Sequence, residues 1–285
     1  MGTGDAAHPK NGDRLFGLNR NLTHRILSTL VLLPLAAGLL VLGGAFFTIF
    51  VAFLAGCMAW EWSRIASRGS DRAIASIAAL ASAIVVILSL WLGLDQLGYA
   101  ILMASALVFG AALARRCQNP VWLAVGPSVA SIASLSAVLL RGVEQASGSI
   151  LLIWLIASVV ATDTGAYIAG RSIGGPKLAP RISPNKTWAG LFGGMVASAA
   201  VGGICGVLVE GADPIKLVVL GAAVAVVGQL GDLLESFFKR RFGVKDSGRL
   251  IPGHGGVLDR LDGHMMVITV MAVVVLVSGQ NPLIW

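Results

Sequence analysis

The segment from Ser236 to Gly263 gathers charges of both signs around a short glycine turn, between two long apolar runs. Its charged side chains include Lys239, Arg240, Lys245, Asp246, Arg249, Asp259, Arg260 and Asp262. The turn contains His254, Gly255 and Gly256, and glycine lets backbone N–H groups come close to a phosphate. In a membrane-bound chain, this pattern predicts a site for a multiply charged ligand at one membrane surface.

Asp163 and Asp232 are acids that lie inside apolar runs. A charge at the bilayer centre costs about 2.5 to 3.5 kcal/mol even on lenient insertion scales, so such a residue usually faces a polar cavity or a partner. The bases that follow Asp232 are explained by the negative end of a helix, but this acid is not. Both positions indicate a functional site, with a structural polar contact as the alternative for Asp163.

Two pairs of acids with a three-residue spacing lie near the two ends of the charged segment. Asp232 and Glu235 close one apolar run, and Asp259 and Asp262 precede the next. Residues three or four apart share a helix face, and acids at the start of a helix are stabilised by its positive end. If the loop between them brings the pairs together, their oxygens form the hard ligand set that Mg2+ prefers.

A second charged loop runs from Gly170 to Gly190 and contains three prolines. Lys177 and Lys186 offer cationic donors, Ser183 and Thr187 offer hydroxyl groups, and the prolines restrict the backbone. On its own, the pattern is equally typical of a basic cytoplasmic loop. Beside the later segment, it predicts the second wall of a ligand pocket.

The chain as a whole is too apolar for a soluble domain. Of its 285 residues, 56% are hydrophobic and 12% are charged, and the mean hydropathy is +0.84. Runs of roughly 17 to 25 apolar residues are needed to cross a bilayer. Candidate spans lie near 26–43, 45–62, 73–93, 97–114, 120–140, 149–169, 188–209, 215–235 and 264–280. We therefore predict an all-α, polytopic integral membrane protein with about nine transmembrane helices.

Basic residues predict the orientation of these spans. With nine spans and a cytoplasmic N-terminus, only Arg141 and Lys216 of the 21 Lys and Arg residues fall on the outer side. The net charge of +7 then belongs to a cytoplasmic surface that attracts phosphorylated ligands. The predicted divisions are a cytoplasmic tail over 1–25, transmembrane helices over 26–148, and a catalytic transmembrane domain over 149–285 with cytoplasmic loops 170–188 and 236–263.

The charged segment resembles the signature of the CDP-diacylglycerol synthases, also called phosphatidate cytidylyltransferases. Each fixed place of that signature is matched, by Ser236, Lys239, Arg240, Lys245, Asp246, Gly248, Ile251, Pro252, His254, Gly255, Gly256, Asp259, Arg260 and Asp262. Upstream, ATDTGAYIAGR and SPNKTWAG resemble two further segments of the family, so the similarity covers roughly 150–275. Ala189 stands where many members carry Glu, so we assign no acid role there.

The resemblance implies transfer of the cytidylyl group of CTP to phosphatidic acid, giving CDP-diacylglycerol and pyrophosphate. Because polyanions must meet, the main obstacle is electrostatic, and the roles follow from charge. The expected catalytic residues are Asp232, Asp259, Lys239, Arg240, Lys245 and Arg260. The expected substrate contacts are Lys177, Ser183, Lys186, Thr187, Ser236, Asp246, His254, Gly255 and Gly256. The expected Mg2+ ligands are Asp232 and Asp259, with Asp163 and Asp262 as further or outer ligands.

Other expectations accompany this reading. The partners are CTP, phosphatidic acid and membrane lipid, with no nucleic acid, and the resemblance suggests a homodimer. We expect a bacterial inner-membrane location with the active site on the cytoplasmic side. Whether a monovalent cation shares the site with Mg2+ is open, and His254 is equally suited to contacting phosphate or stabilising its turn.

Two other functions also fit parts of the pattern. A transporter of a phosphorylated solute would combine intramembrane acids with basic loops, although no inverted pair of interrupted helices is visible. Another Mg2+-dependent lipid transferase could space aspartates as Asp259 and Asp262 are spaced, although the Lys-Asp and His-Gly-Gly elements argue against it. A purely structural scaffold gives no reason for the intramembrane acids.

Overall fold

The computed structural model of the chain describes residues 14–15, 18–143 and 147–285. Most of the predicted tail over 1–25, namely residues 1–13 and 16–17, lies outside the described residues. The helices of the described part are α1 Arg20–Leu42, α2 Gly44–Ala66, α3 Arg72–Leu88, α4 Leu94–Ala114, α5 Pro120–Gly142, α6 Ser147–Ser172, α7 Trp188–Leu208, α8 Pro214–Arg241 and α9 Leu258–Ser278. The short strands are β1 Arg14–Leu15, β2 Leu18–Asn19, β3 Lys177–Ala179 and β4 Ser183–Thr187.

This architecture confirms the prediction of an all-α, polytopic membrane protein. Seven of the described helices, α2 and α4 to α9, are long and apolar enough to cross a membrane. The apolar segments Ile26–Leu42 of α1 and Arg72–Leu88 of α3 are shorter. Each predicted span coincides with one helix, but α9 begins at Leu258 rather than near residue 264. Asp259 and Asp262 therefore lie inside the first turns of that helix.

Local sequence signals determine where the later helices begin. Asp213 precedes Pro214, and its carboxylate accepts hydrogen bonds from the backbone N–H groups of Ile215 at 2.9 Å and Lys216 at 3.3 Å. Thr187 begins α7 in the same way, because its hydroxyl oxygen accepts from the Gly190 N–H at 3.0 Å. A side-chain acceptor at this position satisfies a backbone donor that the helix leaves unpaired.

Helices α6, α7 and α8 lie close together because small residues face one another. A Cβ atom on Gly165 would lie 2.6 Å from the carbonyl oxygen of Gly193, and one on Gly221 would lie 2.5 Å from that of Ser198. The Ser198 hydroxyl donates to the Gly221 carbonyl at 2.7 Å. Lipid gives helices no hydrophobic reason to associate, so close backbone contact of this kind contributes much of the packing.

Aromatic side chains join the earlier helices to the end of α8. Trp62 of α2 stacks on Phe238 of α8, with ring centroids 3.7 Å apart. The Trp62 Nε1–H donates to the carbonyl of Trp122 at the start of α5 at 2.7 Å. Phe242 meets Trp122 edge-on at 5.8 Å. The cluster therefore holds the basic end of α8 against α2 and α5.

The loop between α6 and α7 contains a β-hairpin that the sequence did not predict. Strands β3 and β4 pair antiparallel, with Lys177 opposite Thr187 and Ala179 opposite Ser183. Because β4 leads directly into α7, the strand pairing fixes the position of the hairpin relative to the start of that helix.

Candidate active site at the ends of α8 and α9

Three carboxylates form a compact acidic group where α8 and α9 meet. Asp232, Glu235 and Asp262 each place one oxygen within 4.8 Å of the others. The helices come close here because Gly231 leaves room, and a Cβ atom at that position would lie 2.8 Å from the Asp262 carbonyl oxygen. The sequence analysis expected the two pairs of acids to come together, and the structure groups Asp262 of the second pair with Asp232 and Glu235 of the first.

Lys239 lies between two acids from different helices. Its ammonium nitrogen is 2.5 Å from Glu235 Oε2 and 2.8 Å from Asp259 Oδ1. The Lys239 side chain is only 11% exposed and that of Glu235 only 3%, so the pair is largely removed from water. Removing either member of a buried pair leaves an uncompensated charge, which is strongly unfavourable. Lys239 thus ties α8 to the start of α9.

The hairpin loop reaches the same acidic group through Lys186. Its ammonium nitrogen lies 2.5 Å from Asp232 Oδ2 and 3.4 Å from the carbonyl oxygen of Gln229. On its other side, Asp232 accepts a hydrogen bond from the Ser236 hydroxyl at 3.3 Å. The hairpin loop and the first residue of the charged segment, which the sequence predicted as walls of one pocket, therefore both contact Asp232.

Asp259 organises the loop that precedes α9. Its carboxylate accepts from the Ser247 N–H at 2.9 and 3.1 Å and from the Gly256 N–H at 3.3 Å, in addition to Lys239. Asp259 therefore lies outside the compact group of Asp232, Glu235 and Asp262. Its role as a Mg2+ ligand stays a prediction. A Mg2+ ion would compete for the Asp259 oxygens with these donors.

Asp163 lies on α6, near this site. It interacts electrostatically with Asp232, Lys186 and Arg260. Asp262 also interacts electrostatically with both Asp232 and Asp163. Three helices and the hairpin therefore contribute opposite charges to one region.

Glu61 is a residue of the site that the sequence analysis missed. It lies on α2, is 2% exposed, and accepts hydrogen bonds from the Ser247 hydroxyl at 3.0 Å and the N–H groups of Val257 at 3.1 Å and Leu258 at 2.8 Å. It thus pairs N–H donors at the start of α9. The available signal was an acid within an apolar run, the same reason that identified Asp163.

Glycine is required where the loop passes Glu61. A Cβ atom on Gly248 would lie 2.5 Å from Glu61 Oε1, and one on Gly256 would lie 2.6 Å from Glu61 Oε2. Gly255 has a φ of +92°, which residues with a Cβ rarely adopt. The predicted glycine turn is therefore shaped both by its own backbone and by the buried carboxylate beneath it.

His254 faces the first helix. Its Nδ1 lies 2.9 Å from the Ser28 hydroxyl and its Nε2 lies 3.5 Å from that of Thr29. Its backbone carbonyl accepts from Arg260 Nε at 3.0 Å. The histidine and Arg260 thus brace the glycine turn against α1 and α9, an arrangement that fits the turn-stabilising alternative.

The remaining predicted residues lie in the hairpin loop and the charged segment. Arg240 donates to the Val244 carbonyl at 2.9 Å, and Thr187 caps α7. Lys177 and Ser183 belong to the hairpin strands. Lys245 and Asp246 are exposed on the loop. Within the described residues, none of them has a hydrogen bond or ion pair to the acidic group.

This arrangement suits a reaction between anions. Acids that can share a hard cation lie beside lysines that can contact phosphate, and no general base is needed, because a phosphate that acts as nucleophile is already ionised. Neither oxygen of the buried Glu235 accepts a hydrogen bond of standard geometry from the described residues, although Lys239 lies beside it. The group therefore retains unsatisfied capacity for a cation.

Comparisons with known proteins agree with this chemistry. Residues 23–278 match the cytidylyltransferase family. The phosphatidate cytidylyltransferase of Brucella suis is 41% identical over 246 residues, which cover 85% of this chain and 89% of that protein. That of Pseudomonas aeruginosa is 38% identical over 271 residues, covering 90% and 98%. That of Staphylococcus epidermidis is 47% identical over 137 residues, covering 48% and 50%.

Proposed function

The chain belongs to the cytidylyltransferase family, and we propose that it transfers the cytidylyl group of CTP to phosphatidic acid, with CDP-diacylglycerol and pyrophosphate as products. One observation carries the assignment to a site: Asp232, Glu235 and Asp262 meet beside Lys186 and Lys239 at the ends of membrane helices. A nucleotide and a lipid headgroup can meet only at such a surface, because the acyl chains stay in lipid.

The cationic side chains hold the phosphates in this proposal. Lys186 and Lys239 are engaged by carboxylates, and bound phosphate oxygens would compete for their ammonium groups. Arg260 is exposed and projects from the first turn of α9, where its guanidinium can bind phosphate in a bidentate manner. A lipid phosphate oxygen then attacks the α-phosphorus, the bond to the β-phosphate oxygen breaks, and pyrophosphate leaves.

Mg2+ fits the acidic group by the chemistry of its donors. Asp232, Glu235 and Asp262 supply hard oxygens that lie close together, and Asp163 is near enough to act on the same ion electrostatically. When bound, the ion would neutralise triphosphate charge and stabilise the developing charge on pyrophosphate. The residues of this chain hold and orient the substrates around it. Whether a monovalent cation joins the ion is a separate question for the same assay.

The cytoplasmic face of a bacterial inner membrane is the proposed location. The basic character of the loops at these helix ends supports a cytoplasmic site under the positive-inside rule. The similar proteins from bacteria support the inner membrane. We also keep the proposal of a homodimer, which a mass measurement of the detergent-solubilised protein tests directly.

The deciding experiment combines the purified full chain with CTP labelled at the α-phosphate, phosphatidic acid and Mg2+. We expect label in the lipid fraction and an equal amount of pyrophosphate. Label that enters sealed vesicles without a lipid product would instead support a transporter. Loss of activity on chelation, restored by Mg2+, supports the metal proposal, while full activity after chelation would reject the metal and leave the transfer reaction standing.

A further inference from the structure

A second charged cavity lies at the ends of α2 to α5, apart from the candidate active site. Its volume is about 440 Å3, and its lining includes Arg68, Asp71, Arg115, Arg116 and Asn119. Asn119 precedes α5, which begins with the Trp122 region that packs against the end of α8. The cavity therefore opens at the same end of the helix bundle as the active site.

The cavity carries an excess of positive charge. Arg115 Nε lies 2.5 Å from Asp71 Oδ2, and the other Asp71 oxygen accepts from the N–H groups of Ala73 at 2.9 Å and Ile74 at 3.1 Å. The acid is thus occupied by one arginine and by the first turn of α3. Its charge is balanced, so Arg68 and Arg116 supply the positive charge available to a ligand.

Arg68 and Arg116 have the same unusual backbone conformation. Their φ angles are 51° and 54°, and they are the only residues other than glycine with positive φ in the described part of the chain. Each follows the C-terminus of a helix, at the position where a left-handed glycine commonly ends it. Each costs strain that glycine would avoid, and strain of this kind concentrates at functional sites.

The hydrogen bonds at the two helix ends are also the same. At the end of α2, the Arg68 N–H donates to the Ile65 carbonyl and the Gly69 N–H to that of Arg64, at 2.9 and 2.7 Å. At the end of α4, Arg116 and Cys117 donate to Leu113 and Ala112 in the same pattern, at 2.9 and 2.8 Å. Two equivalent turns thus each place an arginine in the lining of one cavity.

The two guanidinium groups are available for a ligand. Neither Arg68 nor Arg116 forms a side-chain hydrogen bond or an ion pair within the described residues, and both are exposed. Guanidinium groups bind phosphate through parallel N–H···O hydrogen bonds, which makes paired arginines suited to one phosphate group.

The surroundings favour a lipid as the source of that phosphate. Leu113 near the end of α4 is 53% exposed, and Val121 near the start of α5 is 62% exposed. Both helices are apolar enough to span a membrane. A phosphate in the cavity would therefore have apolar helix surface beside it, along which acyl chains can lie.

We propose that this cavity binds the phosphate of an anionic phospholipid, with Arg68 and Arg116 as its ligands. Asp71 holds Arg115 in place at the edge of the cavity, and the two left-handed turns direct the free arginines at the headgroup. The site is separate from the acidic group of α8 and α9, so it binds membrane lipid whether or not cytidylyl transfer is the reaction.

Glycine substitution gives a sharp test, because it removes the side chains and relieves the backbone strain together. We expect the double variant Arg68→Gly with Arg116→Gly to bind phosphatidylglycerol about tenfold more weakly or worse. Its unfolding temperature should stay the same or rise. Binding is measured by native mass spectrometry of the full chain in detergent, titrated with phosphatidylglycerol and, separately, phosphatidylcholine.

The matched control removes two exposed arginines outside the cavity, through Arg72→Gln with Arg171→Gln. Selective loss in the glycine variant, repeated by Arg68→Asn with Arg116→Asn, supports the site, since asparagine also tolerates this backbone conformation. Equal binding in all variants, or equal loss in the control, would overturn it. Complete displacement of the lipid by millimolar inorganic phosphate would reassign the cavity to a soluble anion.

Discussion

Helices α6 to α9 and helices α1 to α5 are held together in different ways. The later group packs backbone against backbone through glycines such as Gly165 and Gly193, and it carries the clustered acids and lysines. In the earlier group, a Cβ atom on Gly56 would lie 3.3 Å from the nearest backbone atom, the Ala79 carbonyl oxygen, and large side chains such as Trp62 and Ile74 take part in the packing. Close backbones fix the distances between charged groups to within a small tolerance, whereas large side chains fill space around them.

The later group, which carries the proposed active site, contacts the earlier group through the loop before α9. Among the polar contacts that join the loop before α9 to the earlier helices in the described part of the chain, those of Glu61 are buried. His254 contributes another through Ser28. If the two groups of helices differ in role, substitutions in the later group should lower the transfer rate directly. Substitutions in the earlier group should lower it by displacing the loop before α9.

The largest expected effect is from Asp232→Asn in the later group. This change removes a carboxylate that contacts both Lys186 and Ser236 and belongs to the acidic group. We expect cytidylyl transfer to fall by about 10²-fold or more, because charge stabilisation of this kind contributes on that scale. Radiolabel transfer by the membrane-inserted variant measures it. The matched control is Asp95→Asn in α4, and normal turnover in Asp232→Asn would remove the site assignment.

The next change tests whether an early helix can control the late site. Glu61→Gln replaces an oxygen that accepts from backbone N–H with an NH2 group that cannot accept, leaving buried donors unpaired. We expect a loss of about 1 to 3 kcal/mol of stability. Turnover should fall about 10- to 100-fold, as for residues that orient catalytic groups. The free energy of unfolding and the transfer rate are measured together.

Glu210→Gln is the control for this change, because Glu210 is an exposed acid at the far end of α7. A positioning role for Glu61 predicts that KM for CTP and kcat both change and that Glu61→Asp recovers part of the activity. If the variant is destabilised while the remaining folded protein turns over normally, Glu61 is a structural residue alone, and the division between the two groups of helices becomes sharper.

A third change tests the close packing of the later group. Gly193→Val adds side-chain atoms where even a Cβ atom would collide with Ala169 and lie 2.8 Å from the Gly165 carbonyl. We expect a loss of about 1 to 3 kcal/mol, as for overpacked interiors. Gly98→Val in α4 is the control, since nothing lies within 4 Å of a Cβ atom there. Equal unfolding free energies for the two variants would contradict the proposed difference in packing.

The sequence predicted much of this arrangement, but only where the signal is a pattern among residues close together in the chain. Apolar runs gave the helices, and three-residue spacing placed Asp232 beside Glu235 because a helix repeats locally. The apolar run around Glu61 signals an unusual acid, but its contacts could not be predicted, because its partners lie almost two hundred residues later in the chain and no local period links them. The hairpin was missed because its strands are only three and five residues long and lack the alternation of a half-buried strand.

The smallest expected effect concerns the ion pair between Arg115 and Asp71, in the lining of the cavity at the ends of α2 to α5. The hydrogen bond from Arg115 lowers the pKa of the Asp71 carboxyl below its ordinary value near 4. A lowered pKa stabilises the fold fully above the ordinary value, and the stabilisation is lost as the pH falls through the lowered one. The pair is at the surface, so the change should be below about 2 °C in unfolding temperature.

Asp71→Asn retains the helix cap but removes the charge, so its unfolding temperature should vary less than that of the unmodified protein between pH 5 and pH 3, roughly the range in which aspartate titrates. Identical pH profiles would show that the ion pair adds nothing to the stability of the earlier helices.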